Sequence, residues 1–158
     1  MTAQTKLSSP QLLEPTDLAL PLDSSDLLIQ VTDPTVFAEA HIDGAVLLPP
    51  AYLCGGIQPA VGKLPDLDSL HAALASIGYR PDRRIIAYDD EGGGWAGKLL
   101  WVLDVIGHKH WAYLNGGLHA WAGAGKSLSH GTFQAQDTAA DFTLNINHQA
   151  IAEIEDVL

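Results

Sequence analysis

The residues best placed to do chemistry are Asp89–Gly97, DDEGGGWAG, which follow the apolar run Ile85–Tyr88 and lead into a second apolar run. Four glycines, Gly92, Gly93, Gly94 and Gly97, let backbone N–H groups converge on a small anion without interference from Cβ atoms. In an open α/β sheet, a loop between the carboxyl end of a strand and the N-terminus of a helix is where ligands collect. Against that reading stand Asp89, Asp90 and Glu91. Like charges about 4 Å apart repel by about 4 kcal/mol at an effective dielectric near 20, so a bound anion is disfavoured. Two other chemistries then arise: carboxylate ligation of a metal ion, or nucleophilic attack by Asp89 from the end of its strand, as in aspartyl-phosphate enzymes. The second lacks companions, because position 91 is Glu rather than a second Asp and no partner Lys or Thr motif is evident. A purely structural role accounts for all three charges. Each stabilises the positive N-terminus of a helix starting near Trp95 by about 0.3–1 kcal/mol, while the glycines shape the turn.

Other reactive residues carry weaker signals. Cys54, the single cysteine, lies in a stretch rich in Gly and Pro and does not follow a core strand, so it reads as a bland thiol rather than a nucleophile. His41 reads as a structural histidine bonded to the backbone of a neighbouring loop. His108 and His110 flank a turn and could in principle ligate a metal together with the acidic loop, although seven histidines make such a pairing common by chance. Of Trp95, Trp101, Trp111 and Trp121, three are expected in or beside the core, and Trp95 is expected to be partly exposed for a partner surface.

Positioning these groups requires strands alternating with helices. Leu27–Val31 is an almost unbroken apolar run suited to a buried parallel strand. Asp33 supplies an N-cap and Pro34 an N1 residue for a short helix through Glu39. Gly44–Leu48 reads as a second strand, followed by a long surface loop to Pro65. Asp66 caps a helix on which Leu67, Leu70, Leu74 and Ile77 share one face, with Gly78 as its stop. Ile85–Tyr88 is the next strand, Lys98–Ile106 the next helix, ended by Gly107, and Trp111–Leu114 a further strand running into Asn115, Gly116 and Gly117. The alternation implies an α/β fold: an open parallel sheet with helices on both faces.

The chain has 158 residues, the size of one ordinary domain. Residues 1–125 are assigned to that domain and 126–141, rich in Gly, Ser, Thr, Gln and Ala, to a linker. Phe142–Ile146 alternates as a strand, and Ala150–Leu158 places Ile151, Ile154 and Leu158 on one helical face. This pattern echoes the opening QLLEPTDLALPL, as though residues 142–158 were the start of a second, truncated copy. A formal net charge of −11 disfavours nucleic acid and anionic membrane surfaces as partners. One cysteine excludes an internal disulfide and a Cys-rich zinc site. No apolar run is long enough to cross a bilayer and Met1–Pro10 lacks the apolar centre of a signal peptide, so a cytoplasmic location is expected.

With these residues in view, the chain resembles a rhodanese domain. The resemblance covers nearly all of Leu12–Trp121, through LLIQVTDPTVFAEAHIDGAVLLP, IIAYDDEGGGWAGKLLWVLDVIG and YLNGGLHAW. EAHIDGA at Glu39–Ala45 and NGGLHAW at Asn115–Trp121 are similar to the two signatures of that family. YDDEGGGWAGKLLWVLDVIG more narrowly resembles the N-terminal, noncatalytic half of two-domain bacterial thiosulfate sulfurtransferases. The resemblance implies a rhodanese-like fold and a parent enzyme that takes sulfane sulfur from thiosulfate as a cysteine persulfide, held by the loop amides, and passes it to cyanide or another thiophile. It places that cysteine directly after the strand in the active half, where this chain has Asp89, and a carboxylate cannot form a persulfide. The resemblance therefore implies no catalytic residue here. Asp89, Asp90, Glu91, Gly92, Gly93, Gly94 and Trp95 would instead face a C-terminal rhodanese domain of the same chain, with no cofactor and no metal. Gln30, where family members often have Asp, and Ala40, where a Gly commonly precedes the signature histidine, are departures. The alternatives are a free-standing inactive module that binds another protein through the acidic loop, or an enzyme using Cys54 or Asp89.

Overall fold

A computed structural model describes residues 11–54, 65–134 and 142–145. Five strands, β1 (Leu12–Leu13), β2 (Asp26–Gln30), β3 (Val46–Leu47), β4 (Arg84–Tyr88) and β5 (Trp111–Leu114), form one sheet in the order β1-β5-β4-β2-β3. Every neighbouring pair is parallel, with Ile29 opposite Val46 and Ala87, and Ile85 opposite Trp111. Helices α1 (Pro34–Glu39), α2 (Leu67–Ser76), α3 (Gly94–Val105) and α4 (Gly117–Gly123) cover it.

The central strands read as continuous apolar runs because both of their faces are buried. Leu27, Ile29 and Ile85 point into a core shared with Leu70 and Leu74 of α2 and Leu99 and Leu103 of α3. Leu28 and Ile86 point the other way, toward Phe37 of α1 and Leu118 and Trp121 of α4. Helices thus lie on both faces, as the alternation of elements demands. At the base of the sheet Arg84 and Asp26, paired in register, form a two-pronged ion pair at 3.0 and 3.1 Å.

The helix starts follow the local chemistry. Asp33 accepts from the Thr35 N–H at 3.0 Å with Pro34 as the first helical residue, and Asp66 accepts from the Ser69 N–H at 3.1 Å. Gly78, at φ +78°, ends α2 as expected.

Several bounds differ from expectation. The second strand is only Val46–Leu47, because Gly44, at φ +90°, and Ala45, whose N–H donates to Ile42 O, belong to a turn. Helix α3 starts at Gly94, four residues before the expected Lys98, because Asp89 caps it from a distance. The long loop after β3 opens with a 3-10 turn at Pro50–Leu53, and its residues 55–64 lie outside the described residues. Helix α4 emerges from the Gly116-Gly117 pair that ordinarily punctuates a chain.

The expected strand at Phe142–Ile146 is not one over its described part, residues 142–145. Phe142 and Leu144 are half-buried against the α2–α3 core, while Thr143 and Asn145 are exposed. The period-2 alternation is present, but it serves packing against this sheet's covering helices. The expected helix at Ala150–Leu158 lies outside the described residues. No described helix is long and apolar enough to cross a membrane.

Candidate functional site

Asp89 leaves the end of β4 with its side chain turned inward and is 1% exposed. Its Oδ1 accepts from the backbone N–H of Glu91 at 3.0 Å and of Gly93 at 2.9 Å, and its Oδ2 accepts from the N–H of Ala96 at 2.9 Å. Three amides of the loop and of the first turn of α3 therefore converge on an anion, and that anion is the chain's own carboxylate. Gly93, the N-cap of α3, has no side chain with which to cap it, and Asp89 does so from four residues upstream. Gly93 is obligatory for a second reason. Its φ is +103°, and a Cβ there would lie 2.7 Å from the Tyr113 hydroxyl.

The NGGLHAW element clasps the other side of this corner. The Leu118 N–H donates to Asp89 O at 3.0 Å, and His119 Nε2 donates to Asp90 O at 3.0 Å. Gly117, at φ +58°, passes so close that a Cβ would sit 2.2 Å from Asp89 O. Asn115 Nδ2 donates to Glu14 Oε2 at 2.9 Å and ties the same turn to the end of β1.

The three carboxylates are thus not equivalent. Asp89 alone fills the cradle, while Asp90 is half-buried and Glu91 is exposed, as are Gly92 and Gly94. Glu91 faces solvent, so its repulsion of an anion falls toward the small value found in water, and charge repulsion by Glu91 is not the main thing that keeps an anion out. Occupancy of the amides is. Both oxygens of Asp89 are engaged and the residue is buried, so the carboxylate is not presented to a substrate for attack. Among the described residues no group of three or more His, Cys, Asp or Glu side chains is gathered to hold a metal ion.

The remaining candidates have structural partners. His41 stacks on Phe37 with ring centroids 3.9 Å apart, and its Nδ1 donates to Phe37 O at 2.8 Å. Its ring therefore bonds the helix it follows and not a neighbouring loop. His108 is buried, with Nδ1 accepting from the Tyr79 hydroxyl at 2.7 Å and Nε2 donating to His110 O at 3.0 Å, so neither ring nitrogen is available to a metal. Burial lowers the His108 pKa and pushes that of Tyr79 up to about 12. Cys54 is half-buried at the end of the 3-10 turn and lines a cavity with Tyr52, Pro65 and Ser69 that contains no residue of the acidic loop. Trp95 is half-buried against the α2–α3 core, as are Trp101 and Trp111, so exposure does not single it out.

A buried polar network escaped the sequence reading. The Tyr88 hydroxyl donates to Gln30 Oε1 and accepts from the Ile42 N–H at 3.0 Å, while Gln30 Nε2 donates to Thr32 Oγ1 at 3.1 Å and Ala40 O at 3.2 Å. Gln30 thus supports the EAHIDGA turn from beneath the sheet's end. Ala40, at φ −162°, is in extended backbone open to any residue, and a glycine is not required there. Burial pushes the Tyr88 phenol well above its ordinary range.

A rhodanese-like domain matches residues 14–124. The chain is 46% identical over 120 residues to a thiosulfate sulfurtransferase of Pseudomonas aeruginosa and 42% identical over 123 residues to one of Azotobacter vinelandii. These alignments cover 75% and 77% of this chain but 44% and 45% of the relatives, so the chain spans about half the length of the curated proteins it matches. A solved 3-mercaptopyruvate sulfotransferase of Escherichia coli superposes with a TM-score of 0.82 at 22% identity, over 94% of this chain and 60% of that one. The parallel sheet, the two motifs and the extent of the match agree: the chain belongs to the rhodanese-like domain family.

Proposed function

We propose that this chain is the N-terminal, noncatalytic domain of a tandem thiosulfate sulfurtransferase, an interface module whose acidic loop meets a C-terminal rhodanese domain carrying the persulfide-forming cysteine. The observation that carries this reading is the Asp89 carboxylate seated on the Glu91, Gly93 and Ala96 amides. Sulfane transfer needs a thiolate to attack thiosulfate, displace sulfite and hold the persulfide. Here the strand-end position has no sulfur, and the donors that would steady an anion are already used. Two curated relatives named thiosulfate sulfurtransferase, each about twice the length of the matched region, support a second domain. The surface offered to it is the rim Asp90, Glu91, Gly92 and Gly94 with half-buried Trp95, held in shape from below by Asp89 and Gly93.

The test is thiosulfate-to-cyanide transfer by the purified chain, with intact mass measured after exposure to thiosulfate and with Cys54→Ser as control. The expected result is no turnover and no added sulfur. Turnover that disappears in Cys54→Ser would place the nucleophile at Cys54 and overturn the reading. Asp89→Cys is expected to restore little activity, because a single sulfur replaces the two-oxygen group around which the loop is folded; robust turnover in that variant refutes the argument from the cradle.

A further inference from the structure

Residues 126–141 have the composition of a linker, yet the described stretches 126–134 and 142–145 are bound to both faces of the sheet. On the α1–α4 face, Ser129 forms an antiparallel bridge with His41 of the EAHIDGA motif, His41 N–H to Ser129 O at 2.9 Å and Ser129 N–H to His41 O at 2.7 Å. The Gly131 N–H donates to Ala38 O at 2.9 Å, and Trp121 Nε1 donates to Ser127 O at 2.9 Å. Phe133 meets Phe37 edge-on at 6.1 Å and packs against both cores. With Leu47 of the edge strand β3 and Ala72 and Ala73 of α2 it also lines a cavity of about 800 Å³. On the α2–α3 face, Phe142 stacks on His71 at 4.3 Å, meets Tyr79 edge-on at 5.0 Å and accepts a hydrogen bond from His71 Nε2 through its carbonyl at 2.8 Å.

We propose that these two stretches are a strap integral to this domain, anchored at His41 on one face and at His71 on the other. Phe133 places the first stretch at the cavity it shares with Leu47 of β3, and Phe142 holds the second stretch on α2 through His71. The EAHIDGA motif thereby gains a role in this chain: its turn, set by the Gln30–Tyr88 network, presents the His41 main chain to the strap. This inference holds with or without a sister domain. If there is one, the chain leading to it is held on the α2–α3 face at residues 142–145 and is not a free tether from residue 125, which raises its effective concentration at the domain surface.

The test uses the full 158-residue chain. Native-state hydrogen exchange at the Ser129 and Gly131 amides is expected to be slowed by at least about 100-fold relative to an unstructured peptide; exchange at the peptide rate overturns the strap. For the far anchor, limited proteolysis within residues 126–145 is compared in the parent, His71→Ala, Phe142→Ala and the double variant. Each single change is expected to speed cleavage by about tenfold and the double variant to match the faster single, because both remove one anchor. Cleavage unchanged in the singles, or strictly additive in the double, refutes the anchor at His71.

Discussion

Asp89→Asn tests the site most directly, because it keeps the shape of the side chain and removes its charge and one acceptor. In the better of its two orientations, the Asn oxygen takes the Oδ1 place and still accepts from Glu91 and Gly93. The amide NH₂ then points at the Ala96 N–H, donor against donor, where Oδ2 had accepted at 2.9 Å. Leaving that buried donor unpaired costs about 1–3 kcal/mol, and the two surviving bonds each fall by roughly 1 kcal/mol when the acceptor becomes neutral. Lost favourable interaction with the α3 N-terminus adds about 0.3–1 kcal/mol. The total is about 3–6 kcal/mol, large against the total stability of an ordinary domain. At about 2–4 °C per kcal/mol for a chain of this length, the thermal midpoint should fall by roughly 7–24 °C.

Equilibrium urea unfolding followed by tryptophan fluorescence reads this loss, and hydrogen exchange at the Glu91, Gly93 and Ala96 amides localises it. In Asp89→Gly the side chain is absent altogether, and added acetate should restore part of the midpoint saturably, since the amides are fixed by the β4 end and the α3 start. A loss below about 0.5 kcal/mol in Asp89→Asn, within the range of a surface change, would refute the cradle as the element that shapes the loop.

Two further outcomes follow from the geometry. Because burial holds the His108 pKa below its ordinary 6.5, the unfolded chain binds more protons than the folded one as pH falls. His108 therefore leaves stability intact above 6.5 and removes it progressively as pH drops from there to the folded pKa; urea midpoints should show this acid-side loss, and His108→Gln should flatten it. The groups facing His108 are the Tyr79 hydroxyl and the His110 carbonyl, with the Arg83 backbone close by. Gly117→Ala should cost at least about 2–3 kcal/mol, because φ is +58° and the new Cβ would fall 2.2 Å from Asp89 O; a thermal midpoint unchanged from the parent would contradict the clasp.

Local chemistry made the strands and the capped helices legible. Asp33-Pro34 and Asp66 announce helices whose caps depend only on residues two or three positions away, and Leu27–Val31 announces a strand buried on both faces. Helix α4 was illegible because Gly116 and Gly117 read as punctuation, whereas Gly116, at φ +76°, leaves no room for a Cβ beside Ala120, and Gly117 makes a close approach to Asp89 O that only the tertiary fold creates. The site was half legible. An acidic run is ordinarily a solvated face, and nothing in composition separates Asp89 from Asp90 and Glu91. The available signal was spacing: an Asp directly after a buried strand, with bonds to the amides at i+2 and i+4, is an Asx-type turn extended to the helix that follows. The Tyr79–His108 and Gln30–Tyr88 pairs join residues 29 and 58 positions apart, beyond any local pattern.

The same physics bears on why a carboxylate occupies this position. A loop whose Glu91, Gly93 and Ala96 amides converge at the N-terminus of a buried helix demands an anion. If the strand-end residue were small and apolar, three donors would lose their acceptor, and the buried Ala96 N–H alone would cost about 1–3 kcal/mol. A thiolate carrying sulfane sulfur satisfies them only while it is charged and occupied. Asp satisfies them permanently, with no ligand and no change of state. An Asp at this position, which cannot form a persulfide, is thus also the residue that holds the loop rigid. A fixed Asp90–Trp95 rim is what a docking partner requires, since a preorganised surface loses little conformational entropy on association. On the function proposed above, Asp89→Asn is expected to weaken docking of a C-terminal rhodanese domain even though Asp89 itself is 1% exposed, and an unchanged Kd for that domain would refute the link between the cradle and the rim.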